Sequence, residues 1–438
     1  MSKGSWVEAQ RAQVSGTRTV NRVGADLGVG GMDGLPKSLA VRMSEVSVPR
    51  QARMRVLDPC DRLGGWINSA SSNATGATSL AVGAGPNGED CIRITATSAG
   101  TRTVEKSLAS PAGLREGRFA MWVKSPDWSL VGRVAQFFFE IGGGYYQRFT
   151  LPWYANIVPG VSGGSDRIDG EWRLIQWSGG EMAAAGGAPA FAAGTADFYL
   201  MRFGIQEGIA GGELLVGPMY YGVMGKKATF RFMFDDSNKT DLTVAMPILR
   251  QYGWKATTYT IGAGIDGLSY SLTRSDLLAL SAAGWKIGVH GRYSHVDHLD
   301  DDYSKIFADV AANQAYVNGL GVGPADSYAY PEGDYTPNSI RALRALGFTE
   351  AYSVVNTSAP YLFGTNPLTR GRSGTSSKTL ATLKAEVDSC INFKGDLAFF
   401  SHQVMLGGSG IHTDSDIFRG LAEYISIKSS EGLCDVAL

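Results

Sequence analysis

Ala228-Thr-Phe-Arg-Phe-Met-Phe-Asp-Asp-Ser237 is the stretch on which the fold turns. Alternation over its first seven residues places Phe230, Phe232 and Phe234 on one face of a strand, because successive side chains point to opposite sides. Two carboxylates, Asp235 and Asp236, stand where that strand should end. The pattern then repeats. A helix is predicted near Pro247 to Tyr252, with proline tolerated in its first turn and Gly253 stopping it. Strands are predicted at Lys255 to Ile261, Trp285 to Val289, Ser327 to Tyr330, Ala351 to Val355 and Asp396 to Phe400. Between them lie helical patterns at Arg274 to Ala283, Asp302 to Asn318, Pro337 to Leu346 and Lys378 to Cys390, with a closing helix from about Asp414 to Ser429. Residues 226–438 therefore read as repeated β-α units, which imply a parallel sheet, open or closed into a distorted barrel. Ligands gather at the C-terminal ends of the strands in either case.

Upstream the texture differs. Residues 56–222 carry short alternating stretches bounded by Gly, Pro, Asn and Asp, among them Arg118 to Lys124, Arg133 to Phe139, Tyr145 to Leu151, Trp172 to Trp177, Asp197 to Phe203 and Glu213 to Tyr221. Such spacing predicts an all-β, jelly-roll-like sandwich. Trp128, Trp153 and Tyr154 near its loops are candidates for sugar contact, although buried aromatic rings in a structural module are the default. Residues 1–55 are polar and weakly patterned, and read as an attachment or docking segment. Their Gly24-to-Gly31 run has neither a preceding strand nor a following Gly-Lys-Ser/Thr, so it is not a phosphate loop.

Composition narrows the function. The chain has 438 residues, 44% hydrophobic and 18% charged, which excludes global disorder and allows two or three domains. Forty Lys and Arg against 41 Asp and Glu leave a net charge of -1, against nucleic-acid binding through phosphate neutralisation and against a polybasic membrane surface. The longest apolar run, Met182 to Ala193, is too short to span a membrane. Cys60, Cys91, Cys390 and Cys434 are too scattered for a zinc motif or a disulfide scaffold, and read as free buried thiols, with Cys60–Cys91 or Cys390–Cys434 pairing as the alternative. The N-terminus lacks the apolar core of a secretory signal, so ordinary export is not expected.

All five histidines follow position 289, and the polar clusters sit just past predicted strand ends. Asp235 and Asp236 follow the first strand, His290 and His295 the third, Pro331-Glu332-Gly333 the fourth and His402 the last. One carboxylate and two imidazoles make a three-ligand site with a position open for water, and Asp236, His290 and His295 fit it. Taken alone, an Asp pair after a strand caps a helix about as readily. Convergence on one rim is what favours a site.

These motifs resemble the polysaccharide deacetylases of carbohydrate esterase family 4, the NodB homology domain, over about Lys226 to Leu438. Phe232-Met-Phe-Asp-Asp-Ser237 is similar to its first motif, and Lys255-Ala-Thr-Thr-Tyr-Thr260 to the strand that follows. Leu280 to His290 resembles the lead into the histidine motif, Tyr328-Ala-Tyr-Pro-Glu-Gly-Asp-Tyr335 the third motif, and Leu397-Ala-Phe-Phe-Ser-His402 the last. The resemblance implies Asp235 as general base, with Asp236, His290 and His295 holding a divalent metal, Zn²⁺ being the expected ion. It further implies the Glu332 N–H as an oxyanion donor and His402 as general acid. Tyr330, Pro331, Tyr335, Arg370 and Arg372 are the substrate-binding candidates.

This sequence departs from the family pattern in three places. His290 and His295 are five apart rather than four, a spacing similar to that of poly-N-acetylglucosamine deacetylases, and His298 is a rival second ligand. Ala329 occupies the place of an arginine that often pairs with the base; Arg370 or Arg372 on a later loop is the substitute, with solvated surface arginines as the plainer reading. Glu332 replaces a common aromatic. His412, before Thr413-Asp-Ser-Asp416, reads as a surface or capping-region residue. The expected substrate is an acetylated bacterial surface polysaccharide, O-antigen or capsule. The expected setting is a phage tail component at the host surface, attached to other tail proteins through the N-terminus, with a homotrimer as the expected assembly. The alternatives are an extracellular or periplasmic bacterial enzyme acting on peptidoglycan, poly-N-acetylglucosamine, chitin or xylan, and a non-catalytic glycan-binding adhesin.

Overall fold

Parallel pairing organises the C-terminal half. In the computed structural model β1 (Ala228–Phe234) is followed by α1 (Met246–Arg250), β2 (Thr257–Thr260), α2 (Arg274–Ala282), β3 (Lys286–Val289), α3 (Tyr303–Gly319) and β4 (Ser327–Ala329). Next come α4 (Pro337–Ala345), β5 (Glu350–Val354), β6 (Arg370–Gly374), α5 (Leu380–Asn392), β7 (Asp396–Ser401), α6 (Ser415–Ser430) and β8 (Cys434–Val436). The sheet runs β2-β3-β4-β5-β6-β7-β1 and closes through β1–β2 pairing, a parallel barrel of seven strands. β1 serves three neighbours by dividing its length. Ala228 to Phe230 pair with β8, whereas Met233 and Phe234 pair with Thr257 and Thr258 of β2, so the ring closes at its C-terminal end. The structure describes residues 54–70, 72–113, 117–131, 133–135, 138–140, 148–150, 153–154, 169–178, 183–185, 197–223, 227–291, 298, 302–354, 368, 370–392 and 394–438.

Two-residue alternation sorts β1. Phe230, Phe232 and Phe234 face outward into the layer shared with the helices, where Phe232 and Phe234 both meet Phe418 of α6 edge-on and Phe234 stacks on Trp285. Burying each such ring stabilises the fold by roughly 1.5–3 kcal/mol. Met233 faces the lumen with Tyr259, Ala329, Tyr352, Ala398 and Phe400, so the barrel is filled rather than hollow. At its lower end Arg231 pairs with Asp396, and Lys286 reaches both Asp326 and Glu350 at 2.9 Å.

Helix boundaries follow local chemistry. α2 and α4 begin in capping boxes at Thr273 with Asp276 and Thr336 with Ser339, and Asp302 and Asp414 cap α3 and α6. The first helix starts earlier than its proline suggests: a π-helical turn, Asp241–Ala245, runs into α1. The sequence pattern omits two strands, β6 and β8. β6 reads Arg-Gly-Arg-Ser-Gly and has no apolar residue to announce it.

Upstream lie two antiparallel sheets. One pairs Arg173–Ser178, Gly117–Lys124, Gly212–Val223, Cys91–Ala96 and Gly76–Ala81, with Met54–Asp58 also on Gly212–Val223. The other is built around Asp197–Gly208, which pairs with Gly100–Gly113. Ile92, Ile94, Phe119, Met121 and Leu214 of the first share an apolar cluster with Val104, Met201 and Phe203 of the second. Trp128 is buried in that cluster, as a core ring and not an exposed sugar platform. The side chains of Trp153 and Tyr154 lie outside the described residues, as does the segment 1–53. All four cysteines are free and buried. No helix among the described residues is long and apolar enough to cross a membrane.

Candidate active site

Past the upper end of β1 the backbone leaves the strand region: Asp236 and Ser237 both have positive φ, 67° and 54°. Such residues cost energy and persist where the surroundings fix them. Here the Leu272 N–H donates to the Ser237 carbonyl at 2.8 Å, the Ile261 N–H to Ser237 Oγ at 3.2 Å, and Asn238 Nδ2 to the Asp235 carbonyl at 3.0 Å. Gln403 Nε2 in turn donates to Asn238 Oδ1 at 3.0 Å. The turn separates the two carboxylates. Asp235 points into the lumen and Asp236 along the rim.

Asp235 is 2% exposed and meets Arg372, which is fully buried. Arg372 Nη1 and Nη2 donate to its two carboxylate oxygens at 2.7 and 2.9 Å, a planar two-point pair. Burial pushes the Asp235 carboxyl up, but the Arg372 guanidinium, aided by the nearby imidazoles of His290 and His402, brings it below its usual range. The guanidinium itself lies 4.5 Å from the ring centre of Phe400 and 5.6 Å from that of Tyr259. Arg372 is therefore the cation beside the candidate base, reached from a strand rather than a loop and far from solvent. Its alternate neighbour on β6, Arg370, belongs to the opposite end, within 3.5 Å of Glu350 and 3.3 Å of the Tyr352 hydroxyl. Arg370, a substrate-binding candidate in the sequence, is thus placed by β6 beside Glu350 and Tyr352 and not beside Asp235.

Asp236 keeps about a quarter of its side chain exposed. Its Oδ1 lies 3.5 Å from His290 Nε2 and its Oδ2 3.9 Å from His402 Nε2. His290 is buried, and its Nδ1 is 2.8 Å from the Ala329 carbonyl. A carbonyl only accepts, so Nδ1 carries the hydrogen and Nε2 is the nitrogen turned toward Asp236; burial lowers the ring's pKa, but the carboxylates of Asp235 and Asp236 prevail and raise it. That carboxylate–imidazole donor set suits a zinc-like divalent ion, and the Ala329 carbonyl supplies the orienting bond such ligands require. The proposed third ligand, His295, lies outside the described residues. Its rival His298 is committed elsewhere: Nδ1 is 2.9 Å from Ser339 Oγ and Nε2 2.8 Å from the Tyr328 hydroxyl, with the residue 1% exposed. Both ring nitrogens serve packing between α4 and β4.

His402 follows β7 with about a fifth of its side chain exposed. Its Nδ1 donates to the Ile411 carbonyl at 3.2 Å, leaving Nε2 facing Asp236. Glu332 stands at the same rim after β4, in a tight turn with φ 57°. Next to it Gly333 has φ 83°, and a Cβ there would fall 2.7 Å from the Val354 nitrogen. Ser353 Oγ also donates to the Gly333 carbonyl at 2.7 Å, so the turn is clamped against β5. Around it Pro331 and Tyr335 are buried, and Tyr330 is fully buried with its hydroxyl donating to the Leu368 carbonyl at 2.9 Å. The structure places Tyr330, Pro331 and Tyr335, the substrate-binding candidates, in the body of this turn, with Tyr330 against His298 and Tyr335.

A cleft of about 880 Å³ opens from Asp236 and His402. The loop around residues 261–271 forms one side, and Gln403, Ile411 and His412 the other. His412 thus lines the cleft rather than merely preceding a helix, and the sequence offered no signal for the opposite lip beyond its glycines.

A filled parallel barrel with a carboxylate pair, two imidazoles and a clamped turn at its C-terminal rim defines a hydrolase-type site. Residues 223–351 match the family described as polysaccharide deacetylase, and this part of the chain belongs to that family of hydrolases. Deacetylases of this kind generally use a divalent metal. None of the curated proteins matches the chain in sequence. Among solved structures it is similar to a Streptococcus pyogenes deacetylase in complex with acetate, at 22% identity and TM-score 0.27, over 28% of this chain and 54% of that one. A family 4 carbohydrate esterase from Streptomyces lividans, also with acetate, aligns at 13% identity and TM-score 0.34 over 49% of this chain and 94% of its own. An acetyl xylan esterase of the same family from Clostridium thermocellum, in complex with a cobalt ion, aligns at 16% and 0.33 over 48% and 87%.

Proposed function

We propose that the chain is a metal-dependent deacetylase that removes acetyl groups from a bacterial surface polysaccharide, O-antigen or capsule. The observation that carries this reading is the buried two-point pair of Arg372 and Asp235 beside Asp236, His290 and His402. Asp236 and His290, with His295, would hold the ion, Zn²⁺, which when bound polarises a carbonyl and makes water acidic near neutrality. Asp235, kept ionised by Arg372, accepts a proton from the attacking water. The Glu332 N–H, in the tight turn after β4, offers a fixed donor to the developing oxyanion. His402, its Nδ1–H tied to the Ile411 carbonyl, gives the Nε2 proton to the departing amine or alcohol. A positioned acid of this kind contributes roughly 10²–10⁴-fold.

Acetate released from acetylated surface glycans of candidate hosts, measured before and after chelation, tests the reading. Release should stop on chelation, return with Zn²⁺, and be abolished by Asp235→Asn while glycan binding persists. Release that survives both treatments refutes the mechanism, and binding without any release favours the adhesin. The order of segments supports a place on a phage tail: an attachment segment at 1–55, a β-sandwich at 56–222 that holds sugar or supports a trimer, and the catalytic domain at 226–438. Absence of the protein from purified virions, judged by mass spectrometry, would refute that placement.

A further inference from the structure

His402 takes its orientation from a loop with little to hold it. After β7 the chain runs through Met405-Leu-Gly-Gly-Ser-Gly-Ile411, in which Gly407 and Gly410 have positive φ, 67° and 65°. Leu406 is 78% exposed and Ile411 58% exposed, so this stretch sends no apolar anchor into the core. At its tip Ser377 Oγ donates to the Gly410 carbonyl at 2.8 Å, an exposed bond for which water competes. Yet the Ile411 carbonyl accepts from His402 Nδ1 at 3.2 Å, and that bond leaves Nε2 facing Asp236. Exposed glycine-rich backbone has many accessible conformations, so the carbonyl must be fixed from outside the loop.

The feet of the loop supply that fixing. The Thr413 N–H donates to the Gln403 carbonyl at 2.8 Å and closes the loop. Behind the closure three hydroxyls meet, on residues no more than 2% exposed: Thr413 Oγ1 lies 2.6 Å from Ser401 Oγ and 2.7 Å from Thr375 Oγ1. Thr375, directly after β6, also reaches the Phe400 carbonyl at 3.1 Å, and Ser401 Oγ has a longer contact of 3.4 Å to the Gln403 carbonyl. A carbonyl only accepts and each hydroxyl has one hydrogen, so the direction of the chain is fixed. Ser401 donates to Thr413, Thr413 to Thr375, and Thr375 to the Phe400 carbonyl. Aligned donors of this kind strengthen one another, and deleting the middle one breaks both of its bonds. The chain ties β6 and the end of β7 to the residue where the loop returns.

We infer that Thr413 is a positioning residue for His402. Its hydroxyl, set between Ser401 and Thr375, holds the loop so that the Ile411 carbonyl stays against His402 Nδ1 and Nε2 stays turned toward Asp236. The catalytic consequence rests on the reading of His402 as the proton donor to the leaving group. The ring's tautomer does not, and it is measured without turnover.

Two measurements on the full chain decide it. The first is the ratio of acetate release from glycan to hydrolysis of p-nitrophenyl acetate, in which any loss of folded protein cancels. Thr413→Val keeps the shape and deletes the hydroxyl, and should lower the ratio about tenfold through kcat, with KM within about twofold, since only the glycan leaving group needs a proton. Thr413→Ser, which keeps the hydroxyl, should restore the ratio to within about twofold. Thr375→Val removes the next hydroxyl, should shift the ratio in the same direction, and decides the matter if Thr413→Val does not fold. The second is the nitrogen NMR spectrum of ¹⁵N-histidine-labelled protein at alkaline pH, with His402 assigned by its alanine variant. The His402 hydrogen should sit on Nδ1 in the parent chain and divide between the two nitrogens in the valine variants. An equal loss of both activities, as a merely structural role gives, or an Nδ1–H tautomer that survives both valine substitutions, overturns the positioning role. A parent chain that releases no acetate from any glycan removes the deacetylase reading instead, and the tautomer alone then decides for or against Thr413.

Discussion

Replacing Arg372 by methionine tests the centre of the site. The side chain is fully buried, and its partner Asp235 is 2% exposed, so the substitution leaves a carboxylate without water and without a cation. Breaking a buried pair by removing one partner costs about 3–5 kcal/mol, because the remaining charge is uncompensated. Methionine fills much of the space against Phe400 and Tyr259, which keeps the packing loss small. At about 2–4 °C per kcal/mol for a domain of this size, the melting temperature should fall by roughly 10 °C. Acetate release should drop at least about 100-fold, since the candidate base loses both its charge partner and its orientation. Combining Arg372→Met with Asp235→Asn removes both charges and should recover much of the stability but none of the activity. Lysine at 372 keeps a charge without the planar fork and should fall between. Paired denaturant and calorimetric melts of the four proteins provide the measurement. A single-variant loss below about 1 kcal/mol, or a double variant no more stable than Arg372→Met, would refute the idea that this pair holds an otherwise unpayable buried charge.

The remaining predictions concern the turn, the acid and the barrel base. Gly333→Ala meets Val354 at 2.7 Å with φ 83°, and should destabilise by about 1–3 kcal/mol and lower kcat more than it raises KM, read from steady-state kinetics on acetylated oligosaccharide. His402→Ala should lower kcat/KM by roughly 10²–10⁴-fold on glycan acetyl groups but far less on p-nitrophenyl acetate, whose leaving group needs no proton. Burial raises the Glu350 carboxyl, but Lys286 and Arg370 prevail and hold it at about 2. Its folded pKa is below its unfolded one, so its contribution is complete above about pH 4.5 and disappears as pH falls toward 2. The amount is on the order of 3 kcal/mol, and Glu350→Gln should flatten that acid limb in urea melts.

Much of the barrel was legible in local pattern. Six strand–helix alternations, their glycine stops and the capping residues Asp302 and Asp414 emerge from short-range rules, and β1 matches its predicted bounds. The rim positions of Asp235, Asp236, His290 and His402 follow from the same reading, because a parallel sheet brings all strand ends to one side. Asn238 and Gln403, which brace the base from behind, gave no such signal: their partners are far apart in sequence and each residue is ordinary by itself. The burial of Tyr330 and Tyr335 was not legible either, for a related reason. A motif places residues near a site without saying which face of the turn they occupy.

β6 marks the division most plainly. By itself the sequence determined a parallel β/α domain with acids and imidazoles at one rim, since alternation, caps and turn residues act over a few neighbours. Only the tertiary structure decided that Arg370-Gly-Arg-Ser-Gly374 is a barrel strand. Its arginines are stable inside because Glu350 and Asp235, contributed by other strands, neutralise them there. A buried charge is tolerable only with its partner in place, and that partner is set by ring closure, not by the residues beside it.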